Sequence, residues 1–171
     1  MIISKNWLSE KNACTDGENW FLSQKETDGK KVVEKLISEN KLQWANWLIV
    51  RIMNRKQYLS YAIFAAEQVI DIFEKKYPND KRPRMAIEAA KKVLENDTAE
   101  NRVAAYAAAD DAAAYADAAA AYAADAATAA AYAAAADAAA YATAAADAAA
   151  AYAAAAAIRL KILNYGLSIL E

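Results

Sequence analysis

The sequence predicts an all-α protein, a compact multi-helix bundle whose C-terminal part is an alanine-rich set of two or three packed helices. Three observations carry this. Only two prolines and three glycines occur in 171 residues, so little interrupts a helix. Apolar residues recur at helical spacing, and no strand-like alternation stands out. From Val103 to Ala157, forty of fifty-five residues are alanine, the best helix former, and that span has no glycine, proline, lysine or arginine. The length suits a single all-α domain over 1–171, with mixed-composition helices over 1–97 and alanine- and tyrosine-rich helices over 98–171 packed on them.

A short helix or turn covers the first dozen residues. Asp16-Gly17 opens the next helical stretch, and Asp28-Gly29 precedes KKVVEKLISE. In LQWANWLIVRIMN, residues Leu42, Ala45, Leu48/Ile49 and Ile52 share one face, with Asn46, Arg51, Asn54 and Arg55 elsewhere. The segment KQYLSYAIFAAEQVIDIFEK reads as one central helix with two heptad stripes side by side. Leu59, Ile63, Ala66, Ile70 and Phe73 form one stripe; Tyr58, Ala62, Ala65, Val69 and Ile72 form the other. Glu67, Asp71 and Glu74 fall along its polar edge. Tyr77 precedes a proline and is pushed out of helical geometry. Pro83 fits a first turn, where its missing N–H costs nothing. The next helix, RMAIEAAKKVLEN, sets Ala86, Ala89/Ala90 and Val93 on one side, and Asp97 with Glu100 forms a capping-box start for the alanine tract.

One straight helix over the tract would reach ~80 Å, against a diameter of roughly 40 Å for a compact chain of this length. The tyrosines drift in phase: Tyr115 and Tyr122 share a face, Tyr132 is off it, and Tyr141 and Tyr152 share another. Packed helices are therefore expected, with turns near Asp125 to Thr128 and near Asp137 to Thr143. Each alanine methyl adds only about 0.8 kcal/mol on burial, so the tyrosines are expected to supply much of the area that holds the tract down.

Composition excludes most chemistry. With no histidine, neither a Cys-His nor a Ser-His-Asp nucleophile can be built, and the usual Cys/His metal sites lack ligands, so no metal, no cofactor and no enzymatic activity are expected. Ser38 and Lys41 match S-x-x-K without its partner motifs. The single Cys14 allows no internal disulfide and points to a reducing, cytoplasmic setting. The longest Asp-free stretch of the tract is eleven residues, short of the ~20 that cross a membrane. The net charge of −2 is too mild to argue for nucleic-acid or membrane binding.

Two features remain. Lys75, Lys76, Lys81, Arg82, Arg84, Lys91 and Lys92 form a basic cluster, in which Arg82 and Arg84 are candidates for an anion or partner contact. The bland reading is preferred: these charges are solvated or pair within the molecule, with Glu74, Asp80 and Glu88 diluting the patch. The second feature is the tract's tyrosine and aspartate pattern. Tyrosine offers large amphipathic contact area at low entropy cost, and six aspartates without a base make a negative field that attracts a basic partner. Tyr115, Asp117, Tyr122, Asp125 and Tyr132 are the candidate contact residues, with some of the six tyrosines expected in the core and some facing out. Trp20, Phe21, Trp44 and Trp47 are assigned to the core or to the capped end of the bundle, with a ligand pocket as the minority reading.

Several segments together resemble a known family. Ala13-Cys14, Gly17 and Trp20 make A-C-x-x-G-x-x-W; Trp44-x-x-Trp47-Leu48 follows, then YAIFAAEQVIDIFEKKYPNDKRPRMAIEAAKKVLE and the alanine-rich tail. This order resembles the alanine-rich immunity-protein family of bacteria and their phages, associated with polymorphic toxin systems. Pro78 to Ala90 is the most specific piece. The resemblance implies an all-helical protein that neutralises a toxin by binding it, by steric occlusion rather than chemistry. A phage-encoded inhibitor of a host defence enzyme would work the same way. Two other classes are set beside it. A structural protein could pack its alanine faces into a homo-oligomer. An ice-binding helix would need threonines at a fixed period near eleven, whereas Thr128 and Thr143 are fifteen apart.

Overall fold

The computed structural model describes residues 1–113, 126, 129–134, 139–152 and 156–170. Among them the chain is helical throughout: α1 (Lys5–Glu10), α2 (Thr15–Ser23), α3 (Gly29–Ser38), α4 (Leu42–Ile52), α5 (Arg55–Glu67), α6 (Ile70–Lys76), α7 (Arg82–Glu95), α8 (Ala99–Ala113), α9 (Ala139–Tyr152) and α10 (Ala156–Ile169). Residues 129–134 are also helical. The one piece of β pairing among the described residues is an isolated bridge between Ile2 and Asp28. There the Ile3 amide donates to the Thr27 carbonyl and Gly29 N–H to the Met1 carbonyl, both at 2.8 Å, which seats Ile3 in the core.

Helices α4 and α5 lie at the centre. On α4 pack α3, α9 and α10; on α5 pack α7, α9 and α10; α8 lies against α7. Both stripes of the α5–α6 segment are buried except at Ile72, as expected of a helix with a wide apolar face. The segment is not one helix, however. It breaks at Gln68 and Val69, where the amides of 68 and 69 reach back to Ala65 and Ala66 in a tightened, 3₁₀-type turn. Gln68 Nε2 takes the Phe64 carbonyl at 2.9 Å. The tightening swings Val69 and Ile70, consecutive β-branched residues, inward together.

Local signals explain most boundaries. Asp28 caps α3 by accepting from the Lys31 amide, and Asn54 with Gln57 forms a reciprocal capping box on α5. Gln57 Nε2 also donates to the Ile169 carbonyl at 2.6 Å, joining the start of α5 to the end of α10. Tyr77 leaves helical geometry before Pro78 (φ −127°, ψ 69°), and Pro83 stands in the first turn of α7.

The start of the alanine tract differs from expectation. Thr98, not Asp97, caps α8, its hydroxyl accepting from the Asn101 amide at 3.2 Å. Asp97 instead accepts from Arg102 Nε at 2.6 Å and Arg55 Nε at 2.9 Å. Arg55 reaches on to the Ala134 carbonyl, so one guanidinium ties the entry of the tract to a later turn of it. The Arg102 and Arg55 hydrogen bonds hold the Asp97 carboxyl down at about 2, against an ordinary 3.8. A depressed carboxyl stabilises above its unfolded value and loses that contribution as pH falls through its folded one. The Asp97→Asn variant is therefore expected to be less stable than wild type at neutral pH. The gap should close as an acid titration of stability runs from about pH 4 to about pH 2; a gap independent of pH would refute the assignment.

The tract folds back on itself. On one straight helix Tyr106 and Tyr132 would stand ~39 Å apart, yet their ring centroids are 5.4 Å apart. The expected turn at Asp125 to Thr128 falls outside the described residues apart from Ala126, which is helical. Of the span Asp137 to Thr143, residues 139–143 are already part of α9, so the helix there runs straight through Thr143. Alanines, rather than tyrosines, make the packed side. Ala105, Ala109, Ala130, Ala133, Ala142 and Ala145 are all fully buried, while Tyr106, Tyr132 and Tyr141 stand half-buried or exposed. Small side chains let the helix axes approach, and a closer approach buries more backbone per residue than the methyl count alone suggests.

A buried polar chain fixes α9 on the body. Asn46 of α4, only 1% exposed, accepts from Tyr61 Oη of α5 at 2.9 Å. Its Nδ2 donates to Asp147 Oδ1 (3.0 Å) and to the Thr143 carbonyl (3.2 Å) of α9. Arg159 of α10 stands 3.8 Å from the same Oδ1. Burial pushes the Tyr61 hydroxyl up strongly and raises the Asp147 carboxyl, which the Asn46 donor and Arg159 partly restrain.

Candidate functional site

Three segments of the tract bring a tyrosine each to one place. Tyr106 comes from α8, Tyr132 from residues 129–134 and Tyr141 from α9. Tyr132 sits in the middle: its ring meets Tyr106 edge-on at 5.4 Å and Tyr141 at 5.2 Å, tilted by 31°. Such tilted and edge-to-face pairs are favoured by the ring quadrupoles. The Tyr132 hydroxyl donates to Asp110, and that bond, before burial, pushes the hydroxyl up to about 12. It therefore stays a neutral donor at physiological pH. The outer two rings are open to solvent, Tyr106 at 52% and Tyr141 at 38% exposure.

The surroundings are acidic and apolar at once. Asp110 is exposed and bonded to Tyr132, Asp111 is exposed next to it in the chain, and Val103, one turn before Tyr106, is 70% exposed. A residue on a helix neighbours those three and four positions away, so Val103, Tyr106 and Asp110 line one ridge of α8. The tract contributes no base to offset the carboxylates. The result is a cluster of three aromatic rings with a carboxylate bonded to the central one.

Of the residues expected at a contact, Tyr132 is in this cluster. Tyr115, Asp117, Tyr122 and Asp125 lie outside the described residues. The phase argument set Tyr132 and Tyr141 on different faces. They meet because they belong to different helices, where phase along one axis has no bearing. Tyr106 and Asp110 join the site in the structure, and their i, i+4 spacing at the head of the tract is the sequence signal for them.

Within the basic cluster, Lys81, Arg82, Arg84 and Lys91 meet carboxylates of the same chain. Arg84 binds Glu74 through Nε and Nη2 at 3.0 and 2.6 Å and reaches Asp71 at 3.2 Å. Arg82 forks onto Asp80, and Lys91 lies 2.8 Å from Glu67. Glu67, Asp71 and Glu74 are the acids of the polar edge and Asp80 stands between α6 and α7; none is an aspartate of the tract. Arg84 holds the Glu74 carboxyl below its usual range, and Arg82 does the same for Asp80.

Residues 49–165 match the model of the family described as "Imm-5 like putative immunity protein". The match spans well over half of the chain, which belongs to this family. It starts within α4 and ends within α10, so it takes in the α5–α7 body, Pro78 to Ala90 and the tyrosine cluster. No curated protein and no solved structure matches the chain.

Proposed function

We propose that this immunity-family protein is a non-catalytic inhibitor that neutralises a protein toxin or effector by covering its working surface. The observation that carries the reading is the Tyr106–Tyr132–Tyr141 cluster, its outer two rings exposed, with Asp110 bonded to it and Asp111 exposed on the same helix. Clustered aromatics on a rigid scaffold dominate the affinity of protein contacts, and uncompensated carboxylates select a partner whose surface is basic, as the active sites of enzymes acting on nucleic acid are. Tyr115, Asp117, Tyr122 and Asp125 continue the same composition along the tract and are proposed as part of the same contact. Arg82 and Arg84, engaged with Asp80 and Glu74, are assigned to holding the α6–α7 corner.

The test is affinity capture from producer and host lysates at low and high salt, comparing wild type with a Tyr106→Ala, Tyr141→Ala, Asp111→Lys variant. All three positions are exposed, so helicity should be unchanged by circular dichroism. A discrete partner held by wild type, released by salt, and bound about 30-fold or more weakly by the variant is the expected result. A partner bound equally by both proteins would place the contact elsewhere.

A further inference from the structure

A cavity of about 340 Å³ opens between α1, α2, α3 and α4, with α9 as its far wall. Its sides are Leu8, Phe21, Leu36 and Leu48, all buried, and the half-buried rings of Trp20, Trp44 and Trp47. The tryptophans expected in the core thus stand around a space. Trp20 is held by its Nε1 donating to Glu39 at 2.7 Å and by its neighbour Trp44, 6.4 Å away. Asp147 reaches the cavity from α9, the one carboxylate on the wall among the described residues.

That carboxylate is half used. The Asn46 hydrogen bond falls on Oδ1, the nearest approach of Arg159 is to the same oxygen, and among the described residues Oδ2 accepts no hydrogen bond. Arg159, 3.8 Å away, is beyond hydrogen-bond distance and does not itself line the cavity. Arg51 stacks on Trp47 at 4.1 Å and Lys41 lies 5.7 Å from Trp44, but neither lines the cavity, so both stand on the outer side of the rings. A purely apolar occupant would strip water from Oδ2 and give nothing back. An anion would be repelled. A group with an apolar body and a cationic head satisfies both halves of the site, through a charge-assisted bond to the carboxylate and contact with the indole faces.

We infer that this tryptophan-lined cavity is a binding site for a small organic ammonium ion, its charged head on Asp147 Oδ2 and its apolar body between Trp20, Trp44 and Trp47. The site is separate from the tyrosine cluster.

The full chain can be titrated with 2-phenylethylamine, 2-phenylethanol and 3-phenylpropionate, which share a body and differ in charge. Tryptophan emission reads the occupancy. So does the rate at which iodoacetamide alkylates Cys14, the chain's single cysteine, exposed on the cavity rim. The amine is expected to bind about tenfold tighter than the alcohol and to slow alkylation, with the carboxylate weakest. Asp147→Asn should bring the amine to the level of the alcohol. Gln43→Lys sets a cation at the exposed mouth without touching the packed interior, and should weaken the amine by about tenfold while leaving the alcohol unchanged. Equal affinity for the three probes, no saturable binding of any, or an amine indifferent to Gln43→Lys would each overturn the inference.

Discussion

Replacing Asn46 by leucine is expected to destabilise the fold by about 3–5 kcal/mol, although the two side chains share a branched shape with equal numbers of heavy atoms. Asn46 is the middle of a chain that runs from Tyr61 through its own amide to Asp147 and the Thr143 carbonyl. Leucine fills the space and answers neither end. The Tyr61 hydroxyl, in a side chain with no exposure, would be left without an acceptor, which costs about 1–3 kcal/mol. The Asp147 carboxylate would lose its hydrogen-bond donor, a bond to a charged group worth about 1.5–3 kcal/mol. Urea unfolding followed by circular dichroism measures the sum. Adding Tyr61→Phe to Asn46→Leu should recover part of the loss, because it removes the stranded hydroxyl along with its missing partner. A loss under about 1 kcal/mol for Asn46→Leu would mean that the polar chain does not hold α9 in place.

The same residue marks where the sequence was legible and where it was not. The apolar positions of α4 and α5 follow from periodicity, since a residue's place on a helix depends only on its neighbours three and four away. By that rule Asn46 belongs to the polar side. It is buried because α9, about a hundred residues later, supplies an acceptor and a carboxylate at that height, and no local pattern carries such a partner. The tyrosine cluster follows the same logic. Composition pointed to tyrosines and aspartates as the contact chemistry, and Tyr132 is among them, but alanine is so uniform a helix former that it holds no record of where one helix stops. The helix break at Gln68 and Val69 escaped for a related reason: with no proline or glycine to mark it, only the side-chain bond from Gln68 to Phe64 and the crowding of Val69 and Ile70 shape it. Signals fixed within a turn were readable, as at Asp28, Tyr77 and Pro83; those that depend on a distant partner were not.

Gly166→Ala should lower stability by about 2 kcal/mol, even though alanine in a helix is ordinarily preferred to glycine by about 1 kcal/mol. Gly166 lies in α10 where that helix crosses α4 and α5. A methyl there would stand 2.7 Å from Ile49 Cδ1, 2.7 Å from Tyr61 Cε2 and 2.9 Å from Tyr61 Cδ2. Contacts so short require something to move. The Ile49 methyl is the free end of a side chain and can turn away, but the Tyr61 ring is fully buried and its hydroxyl is pinned to Asn46. Overpacking of this kind costs about 1–3 kcal/mol, and the upper end applies where the obstacle is held at both ends. For a chain of this length the net loss corresponds to roughly 4–8 °C in Tm by thermal unfolding. Gly17→Ala is the matched comparison. Its methyl meets only the sulfur of Cys14, an exposed side chain, at 3.3 Å, so the propensity gain should dominate and Tm should hold or rise. If the pinned ring is what resists, then freeing it with Tyr61→Phe should shrink the Gly166→Ala penalty, a coupling that double-mutant unfolding reads directly. Additive losses in that cycle would show that the ring yields no more easily without its hydroxyl, and that the close approach of α10 is limited by Ile49 instead.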